Sequence, residues 1–259
     1  MEIAHADTIA GLVKGLAVLE SFDTERQRLN ATQAAQRAGL TRAAARRHLL
    51  TLAHVGYLET DGSHFWLSAR TLRLAGAYLA SSRLPRVIQP ALNRLAAETQ
   101  DVYSAVVRDG DEVVIIARSA GPATPTTRLL AYGMHLGARL PAHATSTGRV
   151  LLAALPRAEL AAWLAGRVLP RLTPHTTTGH GVFQALLRQV SAQDHCLAAD
   201  EHELGVTALA VPLRDARGSV VAALNVITLA GHPTLHDAPA RNAMLVRLRA
   251  AARELQPLL

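Results

Sequence analysis

Only one cysteine, Cys196, occurs in this 259-residue chain. One thiol cannot close an internal disulfide, so a stapled secreted scaffold is excluded and a reducing, cytoplasmic setting is expected. Lysine is equally scarce. Lys14 stands alone, and the remaining positive charge is carried by guanidinium groups, which suit bidentate contacts with phosphate or guanine. No apolar run approaches the roughly 20 residues of a membrane span. The first ten residues contain Glu2 and Asp7 and lack a basic start followed by an apolar middle, so no signal peptide is expected. Internal repeats and low-complexity tracts are missing too, apart from a general richness in alanine and arginine. The most telling gap is local: between Arg26 and Leu58 there are six arginines and no carboxylate.

Apolar residues make up 49% of the chain and charged residues 18%, a globular composition. The net charge of +7 does not by itself locate a polyanion-binding face. Met1 to Arg83 holds ten Lys/Arg against seven Asp/Glu, and the remainder seventeen against thirteen. Clustering decides instead, because phosphate contacts need cations unopposed by carboxylates.

Inside the acid-free stretch, periodicity predicts a helix from Asn30 or Ala31 to Gly39, where glycine can take the left-handed conformation that ends a helix. Thr41 then caps a third helix, Arg42 to about Val55, which Gly56 closes. A first helix is expected from about Thr8 to Phe22, capped by Asp7 or Thr8, with Ile9, Leu12, Val13, Leu16, Val18 and Leu19 apolar. Two short strands around Asp61-Gly62-Ser63 make a hairpin. Three helices and a hairpin describe a winged helix-turn-helix, whose recognition helix can enter a DNA groove.

Along the third helix, Ala45, Leu49 and Leu52 share an inward stripe, while Ala43, Arg46 and Arg47 face outward with Thr41 and Arg42 in the first turn. Thr41, Arg42, Ala43, Arg46 and Arg47 are therefore candidate DNA contacts. Leu50 also falls on the outer side. Lys14, Arg28, His64 and Arg70 are candidates for backbone contacts from flanking elements.

A further helix is expected from Thr71 to Ser82, with the domain boundary at Pro85. Beyond it, a helix from Val87 to Gln100 precedes strands Val102 to Val107 and Glu112 to Arg118, a loop at Gly121 to Pro125 and a strand near Arg128 to Tyr132. Helices follow near Thr147 to Ala154, Arg157 to Ala165 and Gly181 to Gln193. Strands Thr207 to Arg214 and Ser219 to Thr228 and a helix from Ala240 to Leu255 close the chain. This is an α+β pattern with a mostly antiparallel sheet.

Enzyme motifs fail on inspection. His202-Glu203-Leu204-Gly205-Val206 lacks the second histidine of a zinc protease, and Thr147-Gly148-Arg149 lacks the lysine of a phosphate loop. Ser146 sits in no nucleophile elbow. Cys196 has no evident base and reads as a small core residue, as Trp66 and Trp163 read as core aromatics. His143 is expected to pack or hydrogen-bond in its loop. No enzyme activity, cofactor or metal is expected.

The chain resembles the IclR family of bacterial transcription regulators, in particular its PcaR/PcaU/PobR-like branch. The resemblance rests on Gly11 to Glu20, Gly39 to Arg47, Leu140 to Ala153 (with its Pro-Ala-His-Ala-Thr-Ser-Thr-Gly core), Ala210 to Asp215 and Val221 to Val226. It implies a winged helix-turn-helix (1–70), a helical linker (71–85) and a GAF-like effector-binding domain (86–259). It further implies a homodimer or homotetramer on a partly palindromic operator in double-stranded DNA. The implied effector is a small organic acid of aromatic catabolism, of the protocatechuate, 4-hydroxybenzoate or β-ketoadipate type. The implied effector positions are Ser146, Thr147, Gly148, Ala198, Val206, Ala208, Asn225 and Ile227. The residues agree: Ser146, Thr147 and Gly148 open a helix whose free N–H groups favour a carboxylate. Asn225 interrupts an apolar strand, where an amide needs a partner. Arg128 is the candidate cation for the acid. The pattern departs from the family where Ala198-Ala199 precede Asp200-Glu201-His202-Glu203. The competing reading is a small-acid-binding sensor or enzyme with incidental DNA affinity.

Overall fold

The structure of the protein, a computed structural model, describes residues 7–24, 26–119, 134–229 and 232–259. The chain folds as two compact units, Met1–Ala80 and Ser81–Leu259.

In the first unit, α1 (Ala10–Leu19), α2 (Ala31–Ala38) and α3 (Arg42–His54) precede a hairpin of β1 (Leu58–Thr60) and β2 (Phe65–Leu67). Local chemistry sets the helix ends. Asn30 and Gln33 form a reciprocal capping box at the start of α2, and Gly39, at φ +64°, ends it. Thr41 Oγ1 accepts the N–H of Ala44 at the start of α3. Val18, Leu29, Ala34, Ala45, Leu49, Leu58 and Phe65 form the core. Helix α1 is shorter than its periodicity predicts. Ile9, in extended conformation, occupies the cap position and offers no side-chain bond, while Ser21 Oγ turns back to Val18 O at 2.7 Å. Of the expected apolar positions only Val18 is buried; Ile9, Leu12, Val13 and Leu16 stand exposed.

Helix α4 (Leu72–Ser81) follows a short 3-10 turn, and Ser82 alone separates it from α5 (Arg83–Thr99). Pro85 therefore lies in the first turn of α5 rather than between elements. That position suits proline, because its missing N–H would have had no helical partner. Six antiparallel strands make the sheet of the second unit, in the order β5-β4-β3-β8-β7-β6. They are β3 (Val102–Asp109), β4 (Glu112–Arg118), β5 (Arg139–Pro141), β6 (Cys196–Ala199), β7 (Val206–Arg214) and β8 (Val220–Leu229). The three-residue β5 escapes pattern reading, since it is too short to show alternation. The strand expected near Arg128 to Tyr132 and the Gly121 to Pro125 loop fall outside the described residues.

Strand alternation gives the sheet two apolar faces. On one, Tyr103, Leu224 and Val226 pack with Ile88 and Leu92 of α5 and with Met244 and Leu248. Those last two belong to α10 (Ala238–Leu255), which follows the single turn α9 (Pro233–His236). On the other, Val106, Ile115 and Ala223 pack with α6 (Ser146–Ala153), α7 (Arg157–Leu164) and α8 (His180–Gln193) through Leu152, Trp163, Phe183 and Leu187. The fold class is α+β. No helix of the described residues is long and apolar enough to cross a membrane.

Candidate functional site

Helix α3 buries Ala45 and Leu49 and leaves Thr41, Arg42, Ala43, Arg46 and Arg47 exposed. None of the three guanidinium groups has a hydrogen-bond or ion-pair partner among the described residues. Three other arginines of this unit, Arg28, Arg37 and Arg70, are engaged. Arg37 pairs with Asp23, and Arg70 Nη1 donates to Val55 O at 2.8 Å. Arg70 thus closes the C-terminal end of α3 and lies over the Tyr57 ring, so its suggested backbone contact gives way to a capping role. Leu50 is 42% exposed beside Arg46 and Arg47. Its outward placement agrees with that open face.

The hairpin is held by Asp61, whose Oδ1 accepts the N–H groups of Ser63 and His64 at 2.9 and 2.8 Å. The bond from His64 and those from Ser63 lower its carboxyl to about 2. His64 Nδ1 lies 2.9 Å from Ser63 Oγ. Trp66, expected in the core, is only partly buried. Its Nε1 donates to Glu59 Oε2 at 3.0 Å and Arg28 stacks 4.1 Å above its ring centre. Phe65 takes the inward place instead, as alternation along a short strand requires. Lys14 is exposed on α1, where Gly15 faces His48 of α3.

In the second unit a cavity of about 170 Å³ opens between the start of α6 and the strands β6, β7 and β8. An apolar cavity of about 150 Å³ holds benzene, so one substituted ring fits. Ser146, Thr147, Ala198, Val206, Ala208, Asn225 and Ile227 all line it, as do Met134, Leu140, Glu201, His202 and Glu203. Ala198 and Ala208 are direct partners across β6 and β7, and Ala208 is opposite Ile227 on β8. The two alanines leave the floor open. Ser146 Oγ is buried without a hydrogen-bond partner. The N–H groups of Ser146 and Thr147 precede the first intrahelical bond, so the wall there offers donors. Asn225 Oδ1 accepts from Ser104 Oγ, which leaves its amide N–H groups for the cavity.

Gly148 is not among the lining residues. Its N–H goes to Thr145 Oγ1, and a Cβ there would lie 2.2 Å from Ala142 O, so close packing requires glycine. Arg128 lies outside the described residues. Sequence reasoning missed the loop 200–205, because its role depends on a long-range ion pair. Fully buried Arg149 holds Glu201 through both Nη atoms, and Arg149 Nε donates to His143 O at 2.8 Å. Burial would raise the Glu201 carboxyl, but the hydrogen bonds and charge of Arg149, with the Thr177 N–H, hold it below the usual carboxylate range. Burial, together with the nearby Arg149, lowers His143, whose Nε2 lies 2.9 Å from Pro170 O. Cys196 is buried and its thiol is pushed up to about 11, the environment of an inert core residue. Trp163 is buried with Nε1 on Gly110 O. No cluster of three metal-ligating side chains occurs among the described residues.

Comparison with known proteins places both units. The family model of the IclR helix-turn-helix domain matches residues 11–62, and that of the bacterial transcriptional regulator IclR C-terminal region matches residues 76–256. The chain is 52% identical over 227 residues to the p-hydroxybenzoate hydroxylase transcriptional activator of Acinetobacter baylyi, covering 88% of this chain and 84% of that protein. It is 47% identical over 259 residues to the Pca operon regulatory protein of the same species, covering 99% and 91%. A solved structure of the inducer-binding domain of the PobR transcription factor from Acinetobacter is a double mutant in complex with 3-hydroxybenzoic acid. It matches with a TM-score of 0.59 at 43% identity, covering 68% of this chain and 98% of that one.

Proposed function

The chain belongs to the IclR family of bacterial transcriptional regulators, and from that premise we propose that it is a cytoplasmic, DNA-binding regulator whose operator binding is controlled by a small aromatic acid. The observation that carries the DNA-binding half is the unpaired row Arg42, Arg46 and Arg47 on the open face of α3. Phosphate and guanine contacts need guanidinium groups without competing carboxylates. Thr41 and Ala43 flank that row, while Lys14 supplies contacts from α1, Arg28 from the segment before α2 and His64 from the wing. A homodimer on a partly palindromic operator suits the exposed apolar positions Ile9, Leu12, Val13 and Leu16 of α1. Helix α4 (Leu72–Ser81) is the linker, and the effector-binding domain begins with α5 at Arg83 rather than at residue 86.

The ligand reading rests on the cavity. Its size, apolar floor and donor-rich wall fit a hydroxybenzoate or protocatechuate. The carboxylate lies at Ser146 and Thr147, the ring over Ala198, Val206, Ala208 and Ile227, and a ring substituent at Asn225. The names of the relatives support this class, since one concerns p-hydroxybenzoate hydroxylase and the solved domain carries 3-hydroxybenzoic acid.

Footprinting upstream of the gene itself tests the proposal, with a salt titration and additions of 4-hydroxybenzoate, protocatechuate and benzoate. A protected site whose occupancy changes with one acid is expected. Sequence-independent binding that ignores all three acids would favour a sensor or enzyme with incidental DNA affinity.

A further inference from the structure

The donor-rich wall of the cavity lacks a free cation among the described residues. Arg149, nearest in sequence to the α6 start, is spent on Glu201 and on His143 O. The strands contribute only uncharged side chains, Ala198, Val206, Ala208, Asn225, Ile227 and Leu229. Yet the lining includes Glu201 and Glu203. A carboxylate entering such a site meets dipoles and hydroxyls but no formal positive charge from these elements.

One lining group can supply it. His202 faces the cavity and makes no hydrogen bond to any described residue, and the unpartnered Ser146 hydroxyl lines the same space. Resting on the reading of this cavity as an effector site, we infer that His202 is the carboxylate's charged partner beside Ser146, and that the ligand enters together with one proton. The neutral imidazole takes a proton from solvent as the anion arrives, forming an imidazolium–carboxylate pair. One anion and one proton are taken up, so the net charge of the cavity does not change.

The surroundings favour this assignment. Burial holds free His202 below the ordinary imidazole value, with Glu203 opposing and His143 reinforcing that shift. His202 is therefore neutral near pH 7 until an anion compensates it. Apart from Glu203, which also lines the cavity, the other titratable groups close by are engaged or lie outside the lining. Glu201 is locked to Arg149, and His143, on the turn before α6, has Nε2 beside Pro170 O and does not line the cavity. Glu203 is exposed on the same loop as His202.

The sign follows from linkage. A group whose value rises on binding gives affinity that is full below its free value and declines as pH rises toward its bound value. Calorimetry on the full chain with 4-hydroxybenzoate, protocatechuate and benzoate, in two buffers of different ionisation enthalpy, reads proton uptake directly. Uptake approaching one proton per ligand is expected at pH 7, with affinity falling up to about tenfold per pH unit from pH 6 to 8. His202→Gln is expected to bind at least tenfold more weakly, without uptake and without the pH slope. Circular dichroism and retained footprinting establish that the variant is folded. Ligand binding by the wild type with no proton uptake would overturn the assignment of His202 alone, as would undiminished uptake in His202→Gln. No binding by any of the three acids would overturn both that assignment and the effector reading beneath it.

Discussion

Ser104 Oγ donates a 2.6 Å hydrogen bond to Asn225 Oδ1, and the two residues are direct partners across β3 and β8. Both are buried, so each satisfies a polar atom the other cannot leave unpaired. Asn225→Leu strands the Ser104 hydroxyl and should destabilise the fold by about 1–3 kcal/mol. The double variant Ser104→Ala/Asn225→Leu should recover most of that stability in urea titration, yet still bind aromatic acids weakly. Recovery of ligand affinity along with stability would remove Asn225 from the proposed site.

Filling the cavity floor separates ligand binding from folding. Ala208→Leu projects three added carbons into a space of about 170 Å³, next to Ala198. Folding stability should fall by less than the roughly 1–3 kcal/mol of overpacking a filled core, because an existing void is filled. Calorimetric binding of hydroxybenzoates should be lost while operator affinity without ligand persists. Unchanged ligand affinity would place the acid elsewhere.

The recognition helix predicts a particular salt signature. Arg46→Ala and Arg47→Ala should each weaken operator binding by about 1–3 kcal/mol where the guanidinium reads a base. A residue that only grips phosphate should weaken all sequences alike and lower the salt slope by about one. Gel shifts at several salt concentrations, with operator and random duplexes, distinguish the two roles. Full operator affinity in the double variant would refute the assignment.

The Arg149–Glu201 pair sets the acid sensitivity of the second unit. The Glu201 carboxyl is held down in the folded state, so its stabilisation is present above the ordinary carboxylate range and fades as pH falls through the depressed value. Glu201→Gln leaves the fully buried Arg149 charge uncompensated and should cost about 3–5 kcal/mol. It should also flatten the acid limb of the stability profile. A variant with wild-type denaturation midpoints at pH 7 and pH 4 would contradict this account.

The helix-turn-helix was legible because its signals are local. The capping box at Asn30 and Gln33, the turn at Gly39 and the cap at Thr41 each act within four residues. The inward stripe of α3 needed only helical geometry. The start of α1 was misjudged, since Asp7 and Thr8 are good caps but Ile9 holds that place. Trp66 and Arg70 defeated expectation for another reason: alternation on a three-residue strand and the carbonyl left open at Val55 are tertiary matters. In the cavity, Ser146, Ala208 and Asn225 were accessible through family resemblance. His202 and Glu201 were not, because their placement follows from Arg149 reaching across 52 positions of sequence.

Strand β8 is a plank with two loaded sides. Asn225 and Ile227 look into the cavity, while Leu224 and Val226 seat the helices α5 and α10. A packed interior has no slack in which to absorb a displacement. A guest that presses on the first pair therefore leans on the bed of α5, which starts only three residues after the 1–80 unit ends.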